Sequence, residues 1–248
     1  MKTEKLIGIL LILGAVGVFV PYTILTMTFN YPDILRLESG EILRQFHQGG
    51  SSLIFTWLAF ALLGVPLLIA YSLIGQRLEQ WGHNIRWVTS IGIISGVVQI
   101  VGLLRWVYVV PVLATAFVNA KDPSNQESVK IVFQAVHQFG GVLLGEHLGQ
   151  LFTVIWTVFI SIALLKLKFI SKWLGLLGYV ASFIYFLAQA DLLATVIPGF
   201  PMMDIAGFLG STLWLLWLIL LGVRFLKHPV QSNSQASSGF IQTWMPQI

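Results

Sequence analysis

Three charged residues lie deep within long apolar stretches of this chain, where an ionised side chain needs a partner or a function. They are Arg105, Glu146 and Asp191. A charge at the centre of a membrane helix costs about 2.5–3.5 kcal/mol on insertion scales, so such residues usually pair or mark functional sites. A guanidinium binds carboxylates or phosphates, and a buried carboxylate can take up a proton. These three residues are therefore the centre of a predicted polar site.

All three charges are predicted to lie at one depth in the membrane. Each is 19 or 20 residues along its helix from a basic residue that marks the inner membrane surface. At 1.5 Å per residue this is about 30 Å, which places the charges in the outer third of the bilayer. The basic residues that define the count are Arg86, Lys166 and Lys172.

Other polar side chains accompany these charges. Tyr108 lies one helical turn after Arg105, Gln150 lies one turn after Glu146, and His147 follows directly after Glu146. Two interpretations stay open: an ion pair that locks three helices together, or an outward-open cavity in which Arg105 binds an anion while a carboxylate takes up a proton. The residues that we expect to bind a ligand or form ion pairs are Arg105, Glu146, Asp191, Tyr108, Gln150 and His147.

The sequence argues against familiar catalytic chemistry. It contains no cysteine, which excludes disulfides and thiolate catalysis. No nucleophile–base pair can be assembled, so binding, transport or sensing is favoured over an enzyme. His47 and His137 occupy matching positions in the repeat described below, and paired imidazoles suit a metal or a haem. Because the sequence contains no H-E-x-x-H pattern, a metal or haem redox protein is only an alternative, and no cofactor is predicted.

The elements that must position these residues are membrane helices. Only 10% of the residues are charged and 56% are hydrophobic, unlike a soluble domain. A helix needs about 20 apolar residues to cross the hydrocarbon, and six such runs predict an all-α polytopic integral membrane protein. We expect one six-helix transmembrane domain at 1–228 and a disordered C-terminal tail at 229–248. The runs are Leu6–Met27, Ser51–Ile74, Trp87–Phe117, Gly141–Leu165, Trp173–Ile197 and Ala206–Phe225.

The basic residues predict the orientation. Nine of them lie on one side of the predicted helices and four on the other, and short cytoplasmic loops collect lysine and arginine. Both termini are therefore expected in the cytoplasm, with the chain in the plasma membrane. The net charge of +4 follows from this topology and gives no reason to expect nucleic acid as a partner. The expected partners are the lipid bilayer and a small-molecule ligand, while a homo-oligomer or an accessory role beside another membrane protein stays open.

Two outer segments repeat each other. Thr28–Gly50 and Asn119–Gly140 are predicted to form short amphipathic helices at the outer membrane surface, and Gly140-Gly141 is predicted to break the second helix from the following span. Residue identities recur at an offset of 90 residues, which predicts that spans one and two are repeated as spans three and four. The matches are Val20-Pro21 with Val110-Pro111, His47-Gln48 with His137-Gln138, and Gly50 with Gly140.

Small and aromatic residues predict packing and anchoring. Gly141, Gly145 and Gly149 form a ladder at four-residue spacing that favours close helix packing or dimerisation. Tryptophans near the predicted helix ends are typical of an aromatic belt at the membrane surface. They are Trp57, Trp81, Trp87, Trp106, Trp173 and Trp244.

The first outer segment also carries a family resemblance. It reads Phe29-Asn30-Tyr31-Pro32-Asp33-Ile34-Leu35-Arg36 and continues with Gly40-Glu41-Ile42-Leu43. Together with the six-span layout, this segment resembles a bacterial membrane family known as domain of unknown function 4386. The resemblance covers nearly all of the chain except the tail. It implies a bacterial inner-membrane protein with no assigned activity, and it transfers no catalytic residues.

Overall fold

The computed structural model describes residues 2–81, 85–203 and 205–227. Within these ranges the chain is all-α, as the sequence predicts, and contains no strand. Six helical spans are long and apolar enough to cross a membrane. The predicted tail at 229–248, with Trp244, lies outside the described residues. The spans are Lys2–Phe29, Ser39–Gln80, Arg86–Asn119, Pro123–Lys166, Lys172–Ala194 and Ala206–Lys227.

Several spans contain more than one helical element. A 3-10 turn at Asp33–Arg36 precedes the second span, and a π-helix at His137–Leu148, called the π-segment below, lies within the fourth. We call the end of the bundle that holds Lys2 and Lys227 the inner end, and the opposite end the outer end. The α-helices are α1 (Lys2–Phe29), α2 (Ser39–Leu62), α3 (Val65–Gln80), α4 (Arg86–Tyr108), α5 (Val110–Asn119), α6 (Pro123–Val136), α7 (Gly149–Lys166), α8 (Lys172–Leu187), α9 (Gln189–Ala194) and α10 (Ala206–Lys227).

Backbone chemistry explains where two spans bend. Gly50 has a φ of +55°, a conformation that glycine adopts without steric penalty, so α2 bends at this residue. Between α4 and α5 the helix is interrupted at Val109. Pro111 explains the interruption, because proline has no backbone N–H with which to continue a helix. The third span therefore turns at its outer end instead of crossing as one straight helix.

The π-segment stands where a break was predicted at Gly140-Gly141, and that prediction was wrong. The chain stays helical there for 12 residues, with the i→i+5 hydrogen bonds of a π-helix. Glycines let this backbone approach α4 closely. A Cβ atom on Gly102 would lie 2.8 Å from the Cα of Gly145 and 2.9 Å from the carbonyl oxygen of Gly140. The glycine ladder thus packs inside the chain, with α4 as its neighbour.

Buried apolar side chains form two clusters, one toward each end of the bundle. The inner core contains Trp156 and Trp217, whose ring centroids are 6.0 Å apart. The outer core is built around Trp57 and Trp106, which stack at 4.8 Å. The two clusters divide the molecule into the halves that are compared below.

The buried tryptophans correct one prediction. Trp57 and Trp106 are fully buried, so their assignment to an aromatic belt at the membrane surface was wrong. Phe29 packs against both rings and Phe46 stacks on Trp106 in the outer core. Nearness to a helix end does not reveal such packing. Trp87 and Trp173, by contrast, are exposed at the inner ends of α4 and α8, where membrane anchors belong.

The first outer segment folds over the helices instead of lying flat on the membrane surface. Its 3-10 turn and the start of α2 bury Ile34, Leu35 and Phe46 in the outer core. Glu38 lies 3.3 Å from Lys130 of α6, so an ion pair joins this segment to the second outer segment. We call residues 30–38 the cap, because they cover the outer end of the bundle.

Residues matched in the predicted repeat have different surroundings. Gly50 and Gly140 both lie where a helix departs from α geometry. His47 is exposed, whereas His137 is buried and stacks on Phe133 with ring centroids 5.4 Å apart. The repeat stays a prediction.

Candidate functional site

The outer half of the bundle encloses a cavity of about 440 Å³ beneath the cap. Arg105, Glu146, Asp191 and Gln150 all line it, so the structure brings four of the six predicted site residues to one surface. The cavity also extends inward between α1, α3, α4 and α10. Further polar or phenolic residues of the lining are Tyr22, Tyr31, Asp33, Arg36, Tyr71, Gln99, Tyr185, Ser211 and Thr212.

Arg105 forms a buried part of the cavity wall and is only 8% exposed. Its Nη1 donates to the carbonyl oxygen of Gly102, and its guanidinium carbon lies 5.1 Å from the ring centroid of Trp106. Gly141 makes room for it, since a Cβ atom there would lie 2.5 Å from Nη2. In the described ranges no carboxylate lies within hydrogen-bond distance of Arg105, and its Nε has no hydrogen-bond partner. Arg105 is thus a cation removed from water and placed against a cavity.

Glu146 pairs with an arginine that the sequence analysis did not select. Nη2 of Arg36 lies 2.7 Å from Oε2 of Glu146. The second carboxylate oxygen, Oε1, is buried and has no hydrogen-bond partner among the described residues. The sequence marks Arg36 only as a basic residue of an outer loop, although it belongs to the motif that carries the family resemblance. The ion pair joins the cap to the π-segment.

Asp191 faces the same cavity but is bound to the backbone. Its Oδ1 accepts a hydrogen bond of 2.6 Å from the amide of Met203, in the loop before α10. Neither Asp191 nor Glu146 forms an ion pair with Arg105 in the part of the chain that the structure describes. The predicted alternative, a clamp of three helices held by an arginine–carboxylate pair at Arg105, is therefore not the observed arrangement.

Gln150 reaches the cavity at the end of a hydrogen-bond chain. Nδ1 of His147 lies 2.6 Å from Oε1 of Gln189, and Nε2 of Gln189 donates to Oε1 of Gln150 at 2.7 Å. Because an amide oxygen only accepts, Nδ1 of His147 carries the proton. His147, for which the sequence predicted a direct contact, does not line the cavity itself and is connected to it only through Gln189 and Gln150. With its oxygen occupied, Gln150 has its amide N–H groups left to offer.

Tyr108 lies outside the site. Its side chain is 69% exposed at the outer end of α4 and does not line the cavity. The side chain of Arg105 turns back toward Gly102, one turn in the inward direction, whereas Tyr108 extends past the end of the helix. The prediction that Tyr108 belongs to the site was therefore wrong: it lies on the same helix as Arg105 but outside the cavity.

Aromatic rings line the cavity beside its charged residues. Tyr31 of the cap packs edge-on against Trp57 and Tyr22, with ring centroids 5.2 and 5.5 Å apart. Burial raises the pKa of the Tyr31 phenol above its usual value, and the negative charge of Glu146 raises it further. Tyr31 is therefore a neutral hydroxyl at physiological pH and lines the cavity as a hydrogen-bond donor.

The two histidines considered for a metal or a haem lie in unlike environments. His47 is exposed on the outer part of α2, and His137 is buried between Phe133 and Trp106, with ring centroids 5.4 and 6.2 Å away. Within the described ranges, no group of three or more His, Asp or Glu residues is placed to hold a metal ion. A pair of axial ligands from matching repeat positions has no support in this geometry.

Six membrane-length spans define a multi-pass membrane protein, and its outer half contains a cavity lined by charged and aromatic side chains. The chain belongs to the family described as Domain of unknown function (DUF4386), which matches residues 6–222. This match confirms the resemblance carried by the cap motif. No curated protein and no solved structure matches the chain.

Proposed function

We propose that this protein binds a small anionic molecule in the cavity, with the guanidinium of Arg105 as its main contact. One observation carries the proposal: Arg105 is buried against a cavity of about 440 Å³, with no carboxylate in hydrogen-bond contact among the described residues. Ligand sites typically have volumes of about 300–1,000 Å³ and a few placed polar groups in an apolar wall. An ionisable residue inside a membrane is by default a candidate for a functional site.

Other groups around Arg105 suit an anion as well. The Tyr31 hydroxyl and the amide of Gln150 are hydrogen-bond donors on the same lining. Arg36 adds a second cation at the cap, although Glu146 neutralises it. A negative ligand group would thus meet donors from the cap, α4 and α7 at once.

Transport and sensing both begin with this binding step. A second cavity of about 390 Å³ lies at the inner end, lined by Lys168, Arg224 and Lys227 among others, and it shares no lining residue with the outer one. Trp217 packs between Trp156 and the backbone of Leu174, to which its Nε1 donates at 3.1 Å. Transport would require this inner core to open, whereas sensing would require only a movement of the cap.

Binding tests the proposal directly. Purified protein in lipid nanodiscs is dialysed against radiolabelled organic acids of different size, with an alkylamine and an alcohol as cationic and neutral counterparts. Binding of the acids alone is expected. Loss of charge-assisted hydrogen bonds in Arg105→Gln should weaken it roughly tenfold to a hundredfold, and Arg105→Lys should recover part of the loss.

A matched control is available near the start of α2. Arg44 is exposed, lies 3.3 Å from Glu41 and does not line the cavity, so Arg44→Gln should bind as the wild type does. Equal affinity for the acids in the wild type and in folded Arg105→Gln, or no acid binding by the wild type, contradicts the proposal.

We also propose that the inner end faces the cytoplasm of a plasma membrane, with both termini inside and the cavity toward the outside. The support is the excess of basic residues at the inner end. Since the chain contains no cysteine, single cysteines can report each side. An impermeant maleimide on intact cells should label Ser124→Cys at the start of α6 and spare Ser171→Cys before α8. The reverse labelling pattern contradicts this orientation.

The alternatives have their own signatures in the same preparation. A metal or haem redox protein predicts bound metal or a haem absorption band, lost in His47→Ala and His137→Ala. An accessory subunit predicts a second membrane protein that copurifies in fixed ratio. Either result without acid binding would replace the proposal.

A further inference from the structure

We infer that the ligand is an amphiphile, with a single carboxylate head at Arg105 and an unbranched apolar chain that extends inward along α4. The inference rests on the proposed binding function and names the ligand class for the same cavity. Its basis is the change in the lining, from charged groups beneath the cap to apolar and aromatic side chains deeper in the bundle. The deeper lining includes Leu67, Leu68, Tyr71, Ile100, Leu103 and Leu215.

The length of the cavity suits a chain better than a compact acid. Along α4 the lining extends from Arg105 inward to Gly96, which is about 13–14 Å at the helical rise. An extended chain advances about 1.2 Å per bond, judged from the reach of an extended backbone, so about eleven bonds span this distance. A small acid such as acetate would fill only the outer end.

Two deep lining side chains with N–H donors, Gln99 and Trp214, are already hydrogen-bonded within the protein. Nε2 of Gln99 donates to Ser95 Oγ at 3.0 Å and to Thr153 Oγ1 at 3.2 Å. Trp214 Nε1 donates to Thr157 Oγ1 at 2.9 Å. With these donors used, the inner part of the cavity keeps isolated hydroxyl groups such as that of Tyr71, but it has no charged lining residue. An apolar chain matches it, and a second charged group would not.

The charges at the outer end admit a head group of one negative charge and disfavour a larger charge. The lining carries two cations, Arg36 and Arg105, and three carboxylates, Asp33, Glu146 and Asp191. Arg36 and Glu146 neutralise each other at 2.7 Å, and Asp191 binds the Met203 amide. This leaves the guanidinium of Arg105 as the cation without an ion-pair partner in the described ranges. A carboxylate presents two oxygens to a guanidinium and carries a single charge.

A chain-length series tests the inference. Radiolabelled straight-chain carboxylates from acetate to hexadecanoate are dialysed against the protein in nanodiscs, with empty nanodiscs subtracted. Affinity, referred to the free aqueous concentration, is expected to rise about threefold to fourfold per methylene and to level off near the length that reaches Gly96. Decyl phosphate should bind no more tightly than the matched carboxylate.

Adjacent residues of α3 supply a variant and its control. Leu68 lines the deep part of the cavity, and Ile69 is 48% exposed and does not. In Leu68→Trp the added ring should shorten the preferred chain by about two to four methylenes, while Ile69→Trp keeps the wild-type profile. A shortened profile seen only in Leu68→Trp supports the inference.

Several outcomes overturn it and leave the proposed function intact. Arg105-dependent binding of acetate as tight as that of decanoate would indicate a compact ligand. A chain-length preference unchanged in Leu68→Trp would place the tail elsewhere, and tighter binding of decyl phosphate would contradict the single-charge head. If no acid binds at all, the proposed function itself fails.

Discussion

Each half of this molecule contains an arginine–glutamate pair, but the two pairs differ in burial and surroundings. At the inner end Arg77 of α3 bonds to Glu4 of α1, whose side chain is 1% exposed, within a packed core. At the outer end Arg36 bonds to Glu146, whose side chain is 19% exposed and lines a cavity. The inner pair closes two helices together, whereas the outer pair covers a space. The contrast shows that two pairs of the same residue types differ in their surroundings: only the outer pair borders a cavity that is also lined by Arg105, a cation without an ion-pair partner in the described ranges.

The largest effect should come from breaking the inner pair. Arg77→Ala removes the cation that neutralises a fully buried carboxylate, which typically costs about 3–5 kcal/mol. Arg36→Ala should cost less than about 1 kcal/mol, because its pair is more exposed and Arg105 remains near Glu146. Unfolding in an SDS titration, followed by tryptophan fluorescence, compares the two. Arg86 is 81% exposed and pairs with Glu79, so Arg86→Ala is the surface control. Equal losses for Arg77→Ala and Arg36→Ala would remove the distinction.

The next effect tests whether helices of the outer half are tightly packed against each other. A Cβ in Gly102→Ala would lie 2.8 Å from the Cα of Gly145, so α4 and the π-segment must separate at a cost of about 1–3 kcal/mol. In Gly207→Ala the nearest atom, Cβ of Ala188, is 3.8 Å away, and stability should not fall. Thermal unfolding of both variants gives the comparison. Wild-type stability in Gly102→Ala would mean that α4 and the π-segment can separate at little cost.

The outer pair should affect binding more than stability. Glu146→Gln removes a negative charge from the cavity lining, so the affinity for an anion should rise about threefold to tenfold, or up to about 1.4 kcal/mol. Glu41→Gln, outside the cavity, should leave the affinity unchanged. Equilibrium dialysis measures both variants. Weaker binding in Glu146→Gln would show that Glu146 mainly positions Arg36 for the ligand.

The smallest effect compares two buried tryptophans. Nε1 of Trp217 donates to the carbonyl of Leu174 at 3.1 Å in the inner core, whereas Nε1 of Trp57 has no hydrogen-bond partner in the described part of the chain. Replacement by phenylalanine should therefore cost about 1 kcal/mol more in Trp217→Phe than in Trp57→Phe. Chemical unfolding resolves this difference. A larger loss in Trp57→Phe would show that stacking in the outer core outweighs the hydrogen bond.

The sequence predicted the spans and the meeting of three charges because both depend on regular geometry. Hydrophobic length sets the number of spans, and the fixed rise of a helix brings Arg105, Glu146 and Asp191 to one level. The sequence did not predict the ion-pair partner of Glu146. Arg36 is 110 residues away, and only the folding of the cap over the bundle brings the two together.

His147 and Tyr108 were predicted in the wrong place for two separate reasons. The α-helical spacing of 3.6 residues per turn does not hold for Glu146 and His147, which lie in a π-helix. Spacing also cannot report where a side chain turns, and Arg105 bends back toward Gly102 while Tyr108 extends past the end of α4. Long apolar runs rich in glycine give little warning of either behaviour. Positions inside such runs are therefore predicted less well than the runs themselves.

The π-segment has a consequence for the whole of α7. Because its hydrogen bonds join residues five apart, 12 residues complete fewer turns than they would in an α-helix, and the chain enters α7 at Gly149 with a shifted rotational phase. That phase decides which side of α7 meets α4 and which meets α10. A one-residue insertion or deletion between His137 and Leu148 would thus act as a rotation, redirecting Thr153 and Thr157 together while the length of the span scarcely changed.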